Sequence, residues 1–338
     1  LRQEGGSQME RTKSFGKQVK HWIGLGILVA MILVYGSVAL GAGKLVVTYN
    51  PMPLNVPSIV MKDQGFLEEA MAELGLELEY KPFMAGYLMT EAMAAGELDI
   101  AAVMGGTSTI TSYAGGRELQ IFAAYGQAPA GFALVTKAGS VLNNVKDLKG
   151  KAVGLPVGTE THLLLAKALE EAGLEFKDIQ VVNMLVPDAV TALMAGQIDA
   201  ACIVEPVLSN LATRGKIVVL RDGTGLMPGL TVMTVRRDLR EQRPEILTAY
   251  LQAHARSLEF MEREPDKTME LVAKETKLPP ELVEKVMVKY TFSPEIGPEL
   301  LAGLDGTALF LQEIGIIREP IDLEGLVDTT ILDELYAD

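Results

Sequence analysis

Hydrophobic and polar positions follow two periods along most of this chain. Leu76, Leu78 and Tyr80 alternate with Glu77 and Glu79, a period of two that predicts a half-buried strand over 76–80. Leu165, Ala168, Leu169 and Ala172 fall at i, i+3, i+4 and i+7, which predicts a helix over 161–172. Apolar runs at 45–49, 151–155 and 179–184 read as buried strands, and 57–74 reads as a further helix. Strands and helices thus alternate twice, in the order β-α-β-α-β. That order predicts an α/β fold in which each unit builds a parallel sheet with helices on both faces.

An internal echo ties the two units together. Residues 91–105 align with residues 191–205, and Ala92/Ala192, Ala95/Ala195, Gly96/Gly196, Asp99/Asp199 and Ala101/Ala201 are identical. Each copy reads as a helix stopped by a glycine, where a left-handed backbone meets no Cβ penalty, followed at once by a buried strand. A repeat of domain size predicts two similar lobes rather than a solenoid. Asp99 and Asp199 begin their strands and are expected to bond local turn amides.

Gly126, Pro129 and Gly131 separate strands at 121–124 and 132–135, and Gly229 precedes an apolar strand at 230–235. These two places read as chain crossings between lobes. Beyond about residue 243 the pattern is helical (244–261, 266–275, 280–288 and 298–314), with Pro244, Pro280 and Pro298 suited to first helical turns. The expected division is 1–43 as an N-terminal segment, 44–130 as the first part of lobe 1, 131–234 as lobe 2, and 235–338 as a return to lobe 1 with a helical tail.

The first 43 residues have their own pattern. Arg11, Lys13, Lys17, Lys20 and His21 precede an apolar stretch over 22–40, and small residues follow at 41–43. Basic, apolar and small, in that order, describes a secretory signal. The apolar stretch nearly reaches the ~20 residues of a membrane span, so an uncleaved anchor is the alternative. Met9 reads as the start of this signal, with residues 1–8 upstream of it. No cysteine follows the stretch, which excludes a lipid anchor on cysteine. Residues 1–43 hold five Lys/Arg against two Asp/Glu, so removing their net +3 takes the chain from −14 to −17. The expected location is periplasmic or otherwise extracytoplasmic.

Charge and composition narrow the function classes. A net charge of −14 disfavours nucleic acid as a partner, because phosphate binding needs clustered Lys and Arg. Aromatics at 6% argue against a base-stacking or carbohydrate platform. The single cysteine, Cys202, lies in an apolar run and reads as a core residue, so neither a disulfide framework nor a metal knuckle is expected. His21, His162 and His254 form no HxxxH pair. No metal, cofactor or catalytic residue is expected.

Ligands of open parallel sheets bind beyond the carboxyl ends of the strands. Four loops fall there: residues 50–55, 105–108, 156–162 and 205–206. They nominate Met52, Asn55, Thr107, Ser108, Thr159, His162 and Glu205 as ligand-binding residues. The loops at 105–108 and 156–162 lead into helices, whose N-terminal N–H groups favour an anion. Glu205 ends a buried strand and needs a partner, from a ligand or from a neighbouring side chain.

The segments 65–69 (Gly-Phe-Leu-Glu-Glu), 95–100 (Ala-Gly-Glu-Leu-Asp-Ile), 147–154 (Asp-Leu-Lys-Gly-Lys-Ala-Val-Gly), 158–162 (Gly-Thr-Glu-Thr-His) and 195–201 (Ala-Gly-Gln-Ile-Asp-Ala-Ala) carry a resemblance. Over residues 44–338 the chain resembles ABC-transporter solute-binding proteins of the sulfonate/nitrate/taurine type, and their relatives that bind thiamine-pyrimidine precursors. The resemblance implies a type II periplasmic-binding-protein fold that closes on a small-molecule ligand, works as a monomer and docks to a membrane permease. It also implies ligand contacts at Thr107-Ser108, 158–162 and Glu205-Pro206. Alkyl-sulfonate binders of this type often place an aromatic and an acid before the proline. Here Val204-Glu205-Pro206 lacks the aromatic, and the cleft loops contain no Arg or Lys. The competing readings are a pyrimidine-synthase-like enzyme of thiamine biosynthesis, the effector half of a transcription regulator, and a membrane-anchored ligand sensor.

Overall fold

The computed structural model describes residues 43–83 and 85–336. The expected export signal or anchor lies outside the described residues. Among the described residues, no helix is long and apolar enough to cross a membrane.

Eleven strands are described: Gly43–Thr48 (β1), Leu76–Lys81 (β2), Ile100–Gly105 (β3), Leu119–Gln127 (β4), Phe132–Lys137 (β5), Ala152–Leu155 (β6), Gln180–Asn183 (β7), Ala200–Val204 (β8), Ile217–Asp222 (β9), Leu230–Arg236 (β10) and Thr291–Phe292 (β11). They form two sheets, with orders β11-β4-β10-β3-β1-β2 and β7-β6-β8-β5-β9. The second order repeats the first strand for strand, apart from the added edge strand β11. The sequence echo is therefore an echo of whole sheets.

The sheets are not wholly parallel. β1 and β3 run parallel, as do β6 with β7 and with β8. β10 is antiparallel to both β3 and β4, and β5 is antiparallel to both β8 and β9. Each odd strand is the one that enters its sheet after a crossing, so it arrives from the opposite direction. The same pairing moves a boundary. β10 lies wholly in the first sheet, so the return crossing precedes Leu230, whereas the expected second lobe ran to residue 234.

The repeat is visible in single hydrogen bonds. Gly96 and Gly196 have φ of +72° and +73°. Behind them Glu97 N–H donates to the Ala92 carbonyl at 2.8 Å, and Gln197 N–H to that of Ala192 at 2.9 Å. These are the bonds that close a helix end through a left-handed residue. The Asp99 carboxylate then accepts from Val46 N–H at 2.7 Å, and Asp199 from Ala152 N–H at 2.9 Å. Both aspartates pin the start of a neighbouring strand, 53 and 47 residues away, rather than the local turn amides expected of them, because each strand start lies beside its neighbour in the sheet.

The helix expected over 57–74 is two helices, Val56–Asp63 and Phe66–Glu73. Gly65, at φ +69°, turns the chain between them. The tail helices Pro244–Arg263 and Pro265–Thr276 pack on these two, against the first sheet. The apolar residues of β1, β3, β4 and β10 fill the core between those helices and the sheet.

Candidate functional site

The site is built where β3 and β6 run out. β3 ends at Gly105 and the helix Gly106–Ala114 begins at once. The helix carries no side-chain cap, because its N-cap residue is Gly105. The N–H groups of the second and third helical residues, Thr107 and Ser108, are the ones a capping side chain would take. In the other lobe β6 ends at Leu155, the chain turns through Gly158 at φ +79°, and the helix Glu160–Ala172 begins after Thr159.

The two helix starts meet. Thr107 N–H donates to Glu160 Oε1 at 2.6 Å, across the lobes. Burial pushes the Glu160 carboxyl above its ordinary range, while its own N–H and the groups of Thr107 and Ser108 pull the other way. Among the described residues it has no cationic partner within ion-pair distance. Gly105 makes the seat possible, since a β carbon there would overlap the Glu160 carboxylate. The space beside the contact, lined by Gly106, Thr107, Glu160, Leu163, Met227 and Leu304, is no larger than a water molecule.

Thr107 and Ser108 are both buried at this junction. Thr159 and His162 belong to the same loop but bond within it. Thr159 Oγ1 donates to the Pro156 carbonyl at 2.8 Å and lies 2.7 Å from Thr161 Oγ1. His162 Nδ1 accepts from Gly158 N–H at 3.2 Å, and its ring packs on Phe176. Burial pushes the His162 pKa down to about 4, so the ring is neutral and can accept that bond.

In the loop after β1, Asn50 holds the Phe83 backbone by two bonds, of 2.8 and 3.0 Å. Met52 N–H donates to the Asn50 carbonyl at 2.8 Å. Asn55 is buried; its Nδ2 donates to the same carbonyl, and its Oδ1 has no partner among the described residues. Glu205 is 1% exposed, and its oxygens are taken by protein groups. Ser209 donates from Oγ at 2.7 Å and from N–H at 3.1 Å, and Lys289 pairs with it from the other lobe. Cys202 lies in the core of the second sheet, where burial pushes its thiol up and leaves it unreactive.

Sequence reasoning missed Glu160 and Lys289. Glu160 lay inside the quoted segment 158–162, but an acid in a first helical turn is ordinary, since it suits the helix dipole. Lys289 lies 84 residues from Glu205, and nothing in the sequence couples them.

Residues 54–268 match the NMT1/THI5-like family, and the chain belongs to it. A relative in Escherichia coli (strain K12), named as an aliphatic sulfonates-binding protein, is 26% identical over 272 residues, covering 80% of this chain and 84% of that one. The taurine-binding periplasmic protein of the same organism is 27% identical over 195 residues, covering 57% of this chain and 58% of that one. Among solved structures, the alkanesulfonate-binding protein SsuA from Xanthomonas axonopodis pv. citri bound to MOPS superposes with a TM-score of 0.76. It is 22% identical, and the match covers 85% of this chain and 98% of that one. The fold is the periplasmic-binding-protein fold, mixed α/β with two sheets and a helical C-terminal region.

Proposed function

We propose that this chain is the extracytoplasmic solute-binding subunit of an ABC importer. It captures one small polar molecule, anionic or zwitterionic, between its lobes and delivers it to a membrane permease without chemical change. The observation that carries the reading is the meeting of two helix N-termini, Thr107-Ser108 and Glu160, from opposite lobes at one buried point. Helix N-termini that converge from two lobes suit capture of a negative group by closure, once the Glu160 carboxylate yields the Thr107 N–H it now holds. Fold alone does not decide between binding and catalysis. The sulfonate- and taurine-binding names of the two relatives favour binding. In this reading Asn55, Thr107 and Ser108 face the ligand, while Thr159 and His162 hold the shape of the second loop. The protein acts as a monomer, exported by its N-terminal segment.

Native mass spectrometry of freshly purified protein tests this. The expected result is a bound small molecule, or uptake of one from a panel of taurine, alkanesulfonates, nitrate and aminopyrimidines. A protein that carries nothing and takes up nothing from the panel would speak against solute binding.

A further inference from the structure

Glu160 sits where an anionic ligand should sit. Its carboxylate takes the Thr107 N–H at 2.6 Å and lies against that of Ser108. Those groups belong to a nine-residue helix whose glycine N-cap leaves them without a side-chain acceptor. The backbone N–H groups of Glu160 itself and of Ser108 also favour its charged form, as expected between two helix starts. The residue is 8% exposed. Among the described residues, no Lys or Arg lines the crevice around it. Gly105 leaves the gap that the carboxylate fills. An external anion cannot use the same N–H groups while Glu160 holds them.

We propose that Glu160 is an internal anion: it occupies the anion seat of the cleft, bridges the unliganded lobes, and turns the protein away from simple alkanesulfonates. This rests on the solute-binding reading above. The logic is competition. A tethered carboxylate acts at a high effective concentration, so a free monoanion must displace it and also leave it buried or send it into water. A bare alkanesulfonate brings nothing to receive the expelled charge. Selectivity then favours molecules that carry a cationic or hydrogen-donating group besides their anion.

The test compares wild type with Glu160→Ser and Glu160→Gln, all shown to be folded by circular dichroism. Calorimetry with ethanesulfonate should give at least ten-fold tighter binding to Glu160→Ser than to wild type. Scattering without ligand should give a larger radius for Glu160→Ser, and a smaller change for Glu160→Gln, whose amide oxygen still accepts from Thr107 N–H. Gly105→Ala keeps the charge but blocks the seat, and it should also enlarge the unliganded radius. Ethanesulfonate binding no tighter in Glu160→Ser than in wild type, including no binding by either, overturns the competition. An unchanged radius in all three variants overturns the bridge. Failure of the solute-binding reading would show elsewhere, in a wild type that takes up no small molecule at all.

Discussion

His254 is fully buried in the helix Pro244–Arg263, and among the described residues neither ring nitrogen has a hydrogen-bond partner. Its ring packs on Tyr125 at 5.4 Å between centroids. Burial pushes its pKa down to about 3. Its folded pKa lies below that of the unfolded chain, near the ordinary value of about 6.5. As pH falls, the unfolded state takes up the proton first, so stability present above about 6.5 is lost as pH drops toward 3. His162 adds a loss of the same sign, ending near its value of about 4. At pH 5 the His254 contribution is on the order of 2 kcal/mol. His254→Leu removes the titrating group and two unpaired nitrogens, so it should be nearly neutral at pH 7. Urea unfolding at pH 7 and pH 5 should show a smaller acid loss for the variant than for wild type. Equal losses in the two proteins would show that His254 does not carry the acid sensitivity.

Two short connections join the lobes, and they lie side by side. Ala128 N–H donates to the Gly229 carbonyl at 3.2 Å, and Gly223 N–H to that of Phe132 at 3.1 Å. A β carbon on Gly229, at φ +58°, would stand 2.6 Å from the Ala128 carbonyl oxygen. Gly139, at φ +82°, has open space around it. Gly139→Ala should therefore cost only the left-handed penalty of about 1 kcal/mol, and Gly229→Ala clearly more, because backbone must move. Denaturation midpoints would separate the two, and equal midpoints would mean that the crossing yields freely. The first crossing was readable in the sequence, because Gly126, Pro129 and Gly131 interrupt an apolar run there; the return crossing was readable near Gly229, but its expected boundary, at 234, fell a few residues late. The repeated helix-glycine-strand units were readable for the same local reason. The direction of β5 and β10 was not, since it follows from which lobe the chain comes from. Thr107 and Ser108 were readable as a helix start after a strand. Their acceptor was not, because Glu160 reaches them from the other lobe, 53 residues away.

At the scale of the whole molecule, two carboxylates of the second lobe reach the first, at different depths. Glu160 meets a helix start in the cleft. Glu205 lies beside the crossing, where its N–H donates to the Gly131 carbonyl at 3.0 Å, and it pairs with Lys289. Lys289 lies two residues before β11, the edge strand of the first sheet. Under the closure proposed above, a contact next to the crossing would move little, whereas one between the facing helix starts would have to break. Glu205 is thus placed to hold the hinge, and its side chain is fully buried. Removing one member of a buried pair leaves an uncompensated charge and costs about 3–5 kcal/mol, whereas removing both can be nearly neutral. Lys289→Met should therefore lower unfolding stability by roughly 3 kcal/mol, somewhat less if water reaches the half-buried lysine site. Glu205→Gln with Lys289→Met should recover most of that loss, because the amide oxygen still accepts from Ser209. Chemical denaturation of the two single variants and the double variant would measure the coupling. If the single losses simply add, Lys289 is not the partner that keeps Glu205 in place.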